Sequence, residues 1–163
     1  MLAIDLRFRL TKFVLSTLLV LCYFSMSGFC HANEFIVPNG TWVVKSIYKT
    51  SNIQGPSVEE QVSLLGTLII LSPDFLQSCG QSVPVKSVVV ADLSSSEFLA
   101  GTNVRFQDLN LRLSRVTEVV INNRELGSCF GAFPLPGQDI YIRNRNEIIV
   151  SFEGVFYRAI KVR

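Results

Sequence analysis

The sequence predicts an all-β domain, an antiparallel small barrel or sandwich of about eight strands with one or two short helices, preceded by a signal peptide. Three observations carry this expectation. A charged, then apolar, then small-residue segment opens the chain. Short β-branched and aromatic runs follow, separated by Gly, Pro, Ser and Asn. No helical pattern of more than a few turns alternates with them, which argues against βαβ units.

Residues 1–32 read as the secretory signal. Arg7, Arg9 and Lys12 supply positive charge, and residues 13–24 are apolar apart from Ser16 and Thr17. Small residues precede a cut after Ala32, with Cys30 at the −3 position. An uncut anchor is the competing reading, because residues 13–29 carry no charge and sit at the short end of a bilayer span. The remaining residues 33–163 form a single β-rich domain, large enough to bury a core. Its expected location is periplasmic or secreted, touching a membrane only through the export signal.

Residues 41–50 (TWVVKSIYKT) are the first strand, and Ser, Asn, Gly and Pro over 51–57 make a loop. Ser57 and Glu60 stand at capping-box spacing and open a short helix that Gly66 ends. Residues 67–71 resume as a strand, with a turn at Pro73-Asp74. Residues 85–90 form another β-branched run. Ser94 and Glu97 repeat the capping-box spacing at one helical turn. Residues 103–113 alternate in places and suggest two short strands. Residues 116–121 are a further strand. Residues 139–143 and 147–152 flank Asn144-Arg145-Asn146 as a hairpin, and 155–162 is the last strand. Neither face of that last strand is cleanly polar, so both sides are expected to be covered.

Removing the leader takes Asp5, Arg7, Arg9 and Lys12 with it, and the net charge of +2 falls to zero. A neutral domain gains little from counterion release, so no nucleic-acid partner is expected. His31, the only histidine, also lies in the leader. The domain therefore has no Ser-His or Cys-His nucleophile and no His-containing metal site. No cofactor and no metal are expected. A carboxylate-based hydrolase is the one enzymatic alternative, and most acidic residues fall in turns. Of four cysteines, Cys22 and Cys30 are in the leader. Cys79 and Cys129 remain and pair in one way, closing a loop of about 51 residues worth roughly 4 kcal/mol in the chain-entropy model.

Gly40-Thr41-Trp42 opens the first strand with the only tryptophan, and Arg158 lies on the last strand. This pairing resembles the calycins, the lipocalins and their small-barrel relatives. There a Gly-x-Trp packs its indole beneath an arginine from the closing strand, a cation–π contact. The resemblance covers the two ends of the domain. Its middle lacks the Thr-Asp-Tyr pattern many lipocalins carry. The plain alternative is a core tryptophan at a strand start. Asn39-Gly40-Thr41 is also a glycosylation acceptor, meaningful only in a eukaryotic source.

Two surfaces are candidates for contact. Residues 131–137 (GAFPLPG) follow Cys129 directly, so a disulfide would pin a proline-stiffened loop bearing Phe130, Phe133 and Leu135. Packing over an open barrel end is the alternative. Arg143 and Arg145, with Arg158, Lys161 and Arg163, concentrate positive charge near the C-terminus. They suit a carboxylate, phosphate or acidic partner, or else only discourage edge pairing. The expected function is non-enzymatic: an exported lipocalin-like protein holding a small apolar ligand in its barrel. The alternative is a periplasmic inhibitor or immunity-type protein that blocks an enzyme through its loops.

Overall fold

A computed structural model describes residues 38–51 and 55–163, so the expected signal segment 1–32 lies outside the described residues. Among the described residues eight strands form one closed antiparallel barrel: β1 (Gly40–Thr50), β2 (Leu68–Leu71), β3 (Phe75–Ser78), β4 (Gln81–Ser94), β5 (Arg115–Asn123), β6 (Asp139–Asn144), β7 (Glu147–Phe152) and β8 (Val155–Lys161). Each strand pairs with the next in sequence, and β8 returns to β1 through a register running from Trp42↔Lys161 to Thr50↔Val155. Two helices, α1 (Val58–Ser63) and α2 (Ser95–Thr102), interrupt the meander. Both open with the capping box read from the sequence: Ser57 with Glu60, and Ser94 with Glu97. No described helix is long and apolar enough to cross a membrane.

Two elements differ from expectation. The sequence reading had no strand at β3, a four-residue segment between two turns. Residues 103–113 hold no strand; they contain a 3-10 helix at Phe106–Leu109 ending on Asn110 in the left-handed region. Their apolar residues alternate because they project onto a neighbouring surface, not because they sit in a ladder.

Strand alternation sends one set of side chains inward: Trp42 and Val44, Ile69 and Leu71, Leu76, Val83, Val119 and Ile121, Ile140, Ile148 and Val150, Tyr157 and Ala159. Bulges preserve this. One extra residue between Val44 and Ser46 shifts the inward position to Ile47, and one between Val85 and Ser87 shifts it to Val88 and Val90. Most of these residues are buried to within 2% of full exclusion.

A second cluster covers the outside. The segment joining β4 to β5 lays Phe98, Val104, Phe106, Leu109 and Leu111 against Tyr141, Ile149 and Phe156. Phe98 makes edge contacts with Phe106 and Tyr141 at 5.2 and 4.9 Å between centroids. This explains the two apolar faces of the last strand: Tyr157 and Ala159 point inward while Phe156 points to this outer layer.

Trp42 is fully buried and its Nε1–H donates to the Pro38 carbonyl at 2.7 Å. The cation over its ring is Lys161, with Nζ 5.4 Å from the centroid, and not Arg158. The correction follows from register. Trp42 faces Lys161 across the β1–β8 ladder, whereas Arg158 alternates to the outer face and pairs with Glu147. Gly40 permits the crossing: its φ is +128°, and a Cβ there would stand 2.8 Å from Lys161 Cε. Truncating Trp42 to Ala is expected to cost about 3–5 kcal/mol in urea unfolding. A loss below about 0.5 kcal/mol would contradict this burial.

Candidate functional site

One end of the barrel is built by residues 55–67 with α1, the Cys79-Gly80 turn, the 124–138 loop and the Glu153-Gly154 turn. Cys79 and Cys129 are bonded there, with Cα atoms 5.7 Å apart. The bridge ties the β3–β4 turn to the β5–β6 loop. Gln81 and Ser128 reinforce it: Gln81 Nε2 donates to the Ser128 carbonyl at 2.9 Å, and Ser128 N donates to Gln81 Oε1 at 3.2 Å. Such a bridge belongs to an oxidising compartment, outside the reducing cytosol.

The three apolar loop residues singled out in the sequence separate here. Leu135 is buried in the core cluster and does not face solvent, which corrects its assignment as a contact residue. Phe133 is partly buried, its ring 6.2 Å from Phe152. The loop descends because Gly137, at φ +102°, brings its backbone against Ile69 and Leu76, and Ser78 Oγ donates to the Pro136 carbonyl at 2.9 Å. Leu64 closes the same mouth from the α1 side. These residues stopper the barrel.

Phe130 is the most exposed of the three, at 37%, with its ring centroid 6.4 Å from that of Phe152. Its φ of 54° places it in the left-handed region, which is strained for a bulky side chain. Cys129 and Phe133 exchange backbone hydrogen bonds of 2.7 and 3.1 Å across this turn, so the disulfide and the bridge together hold the strain. Beside Phe130 opens a groove of about 460 Å³, lined by Ser63, Leu64, Thr67, the disulfide, Gln81 and Ser128.

Helix α1 flanks this groove and buries none of its own residues. Val58 and Val62, four apart and hence on one face, are 69% and 52% exposed. Leu65 just beyond is also exposed, as is Leu126 on the opposite loop. Helix α1 carries Glu59 and Glu60, and Arg124 and Glu125 stand beside Leu126 in sequence. The sequence reading missed this surface because a capped six-residue helix looks ordinary until its apolar face is found uncovered.

The arginines lie elsewhere. Glu147, 8% exposed on the outer face, accepts from Tyr48 Oη at 2.7 Å, Arg143 Nη1 at 2.7 Å and Arg158 Nη2 at 2.9 Å. Arg143 also donates to the Tyr48 hydroxyl and, at 3.1 Å, to the Asn110 carbonyl. Burial works to raise the Glu147 pKa, but the hydrogen bonds from Arg158 and Tyr48 and both guanidinium charges hold it below the ordinary carboxylate range. Arg143 thus pins the covering segment to the barrel. Arg145 is exposed at the tip of the two-residue β6–β7 turn, and the structure does not bring it together with Phe130. Among the described residues no group of three His, Cys, Asp or Glu could hold a metal. No protein-family model, curated protein or solved structure matches this chain.

Breaking the disulfide, by reductant or by Cys79→Ser with Cys129→Ser, is expected to lower stability by about 4 kcal/mol. An unchanged unfolding midpoint would refute that. Because the folded pKa of Glu147 is depressed, its contribution is present above the unfolded value near 4.5 and is lost as pH falls through the folded value. Glu147→Gln should therefore destabilise by about 1–2 kcal/mol at neutral pH, allowing for solvent screening at Arg158. The gap between the two proteins should close in acid; a gap independent of pH would contradict the network.

Proposed function

We propose that this chain is a non-catalytic, exported calycin-like barrel that binds a protein partner through the loop end around Phe130, as an inhibitor or immunity-type factor blocks an enzyme. The observation that carries this reading is Phe130 itself. A strained, disulfide-pinned aromatic projects beside a groove and next to the uncovered face of α1. A rigid projecting aromatic loses little ordering entropy on binding and is the residue type that anchors interfaces. Backbone strain of this kind collects at working sites. The exposed Val58, Val62, Leu65 and Leu126 support a partner with an apolar contact surface. The N-terminal segment and the disulfide support a periplasmic or secreted location.

A second reading, a small apolar ligand held within the barrel, is favoured by one observation. Asn123 shares the inward face of Val119 and Ile121, and its buried amide pairs with nothing among the described residues. A ligand with one polar group would satisfy it. The stoppered mouth and the close burial of the inward side chains favour the protein-binding reading.

Crosslinking in the protein's own cells tests the proposal. One protein should be recovered with the full chain, and Val62→Asp or Phe130→Gly should each weaken capture about tenfold. Arg145→Ala should leave it intact. Phe130→Gly relaxes the backbone but removes the ring packed on Phe152, so its urea midpoint is measured beside capture, and lost capture counts only with that midpoint retained. Capture that is insensitive to both loop variants, or sensitive to Arg145→Ala, would overturn the reading.

A further inference from the structure

A second site stands apart from the loop end and does not depend on it. At the other end of the barrel a cleft of about 500 Å³ is lined by Asn110, Leu111, Arg112 and Leu113 from the covering segment and by Arg143 and Asn144 from β6. No acidic residue lines it. Glu147, the nearest carboxylate in this network, spends both oxygens on Tyr48, Arg143 and Arg158. One negative charge set against two guanidiniums leaves the network positive, and Arg112 adds another charge with no salt bridge among the described residues.

The Arg143 guanidinium is held in place and not exhausted. A guanidinium has five N–H donors. Nη1 gives two, to Tyr48 and Glu147, and Nη2 gives one, to the Asn110 carbonyl. Two remain, on Nε and Nη2. The cation is fixed further by the Tyr48 ring, 5.8 Å from Cζ. A pre-positioned arginine and an exposed, unpaired one lining the same cleft suit an oxyanion. Leu113, in the same lining, is a large apolar side chain left 48% exposed, and Leu111 near it in sequence is buried. Asn110 and Asn144 supply neutral polar groups at the margin.

We infer that this cleft binds a small amphiphilic oxyanion, a carboxylate or phosphate carrying a short apolar chain, with Arg112 and Arg143 on the head and Leu113 against the chain. The charge accounts for the head and the exposed leucine for the chain; neither alone would need the other.

Amide-resolved NMR titration of the full domain with octanoate, octyl phosphate and inorganic phosphate tests this. Octanoate or octyl phosphate should give saturable shifts confined to residues 110–113 and 143–144, and the tighter of the two identifies the head group. Arg112→Ala should weaken binding about tenfold, and Leu113→Ser should weaken octyl phosphate while sparing inorganic phosphate. Both positions are exposed, so the variants keep the fold. Shifts that do not saturate, shifts centred on Leu65 and Phe130, indifference to Arg112→Ala, or equal affinity for inorganic and octyl phosphate would each overturn the inference.

Discussion

Closure of β1 against β8 is the constraint from which the other features follow. Eight antiparallel strands closed on themselves enclose a width that side chains alone can fill. Here they do, with Trp42, Tyr157 and branched aliphatics from every strand meeting in the middle. Closure also removes the sheet edges, so no strand is left to recruit another chain by backbone pairing. A barrel that is full and edgeless offers its chemistry at the ends and on the outer wall. Both candidate sites lie there.

The ends are managed differently. At one, Gly40 gives way so that Lys161 can cross Trp42, and the indole N–H closes on the Pro38 carbonyl. At the other, the disulfide and Gly137 draw Leu135 and Phe133 into the mouth and leave Phe130 outside. The outer wall carries the Glu147 network, where three donors converge on one buried carboxylate and thereby bind the β4–β5 connection to β6, β7 and β1. Stability and presentation are served by the same contacts: what holds the loop also aims its aromatic.

Strand identity was legible where β-branched and aromatic residues concentrate, as in β1, β5, β7 and β8, and both helix starts were legible because Ser-x-x-Glu encodes a local hydrogen-bond exchange. The disulfide followed from cysteine number once Cys22 and Cys30 were assigned to the leader. The covering segment was not legible. Val104, Phe106, Leu109 and Leu111 alternate much as a strand does, and only the outer faces of Tyr141, Ile149 and Phe156 explain them. The tryptophan contact failed for a related reason. Residue types suggested an arginine, but a ladder register places Lys161 and not Arg158 opposite Trp42, and register depends on bulges that leave no mark in composition. Phe130 was named from the sequence, yet its isolation from Leu135 depends on a three-dimensional descent at Gly137.

The central claim is that this barrel is filled by its own side chains and works through its surface. Native mass spectrometry of the protein purified gently from its own cells measures this directly. The account predicts the bare polypeptide mass, alone or with a second protein, and no small molecule retained until unfolding. A stoichiometric apolar compound of a few hundred daltons, released only on denaturation and lost when Asn123 is replaced by Leu, would contradict it.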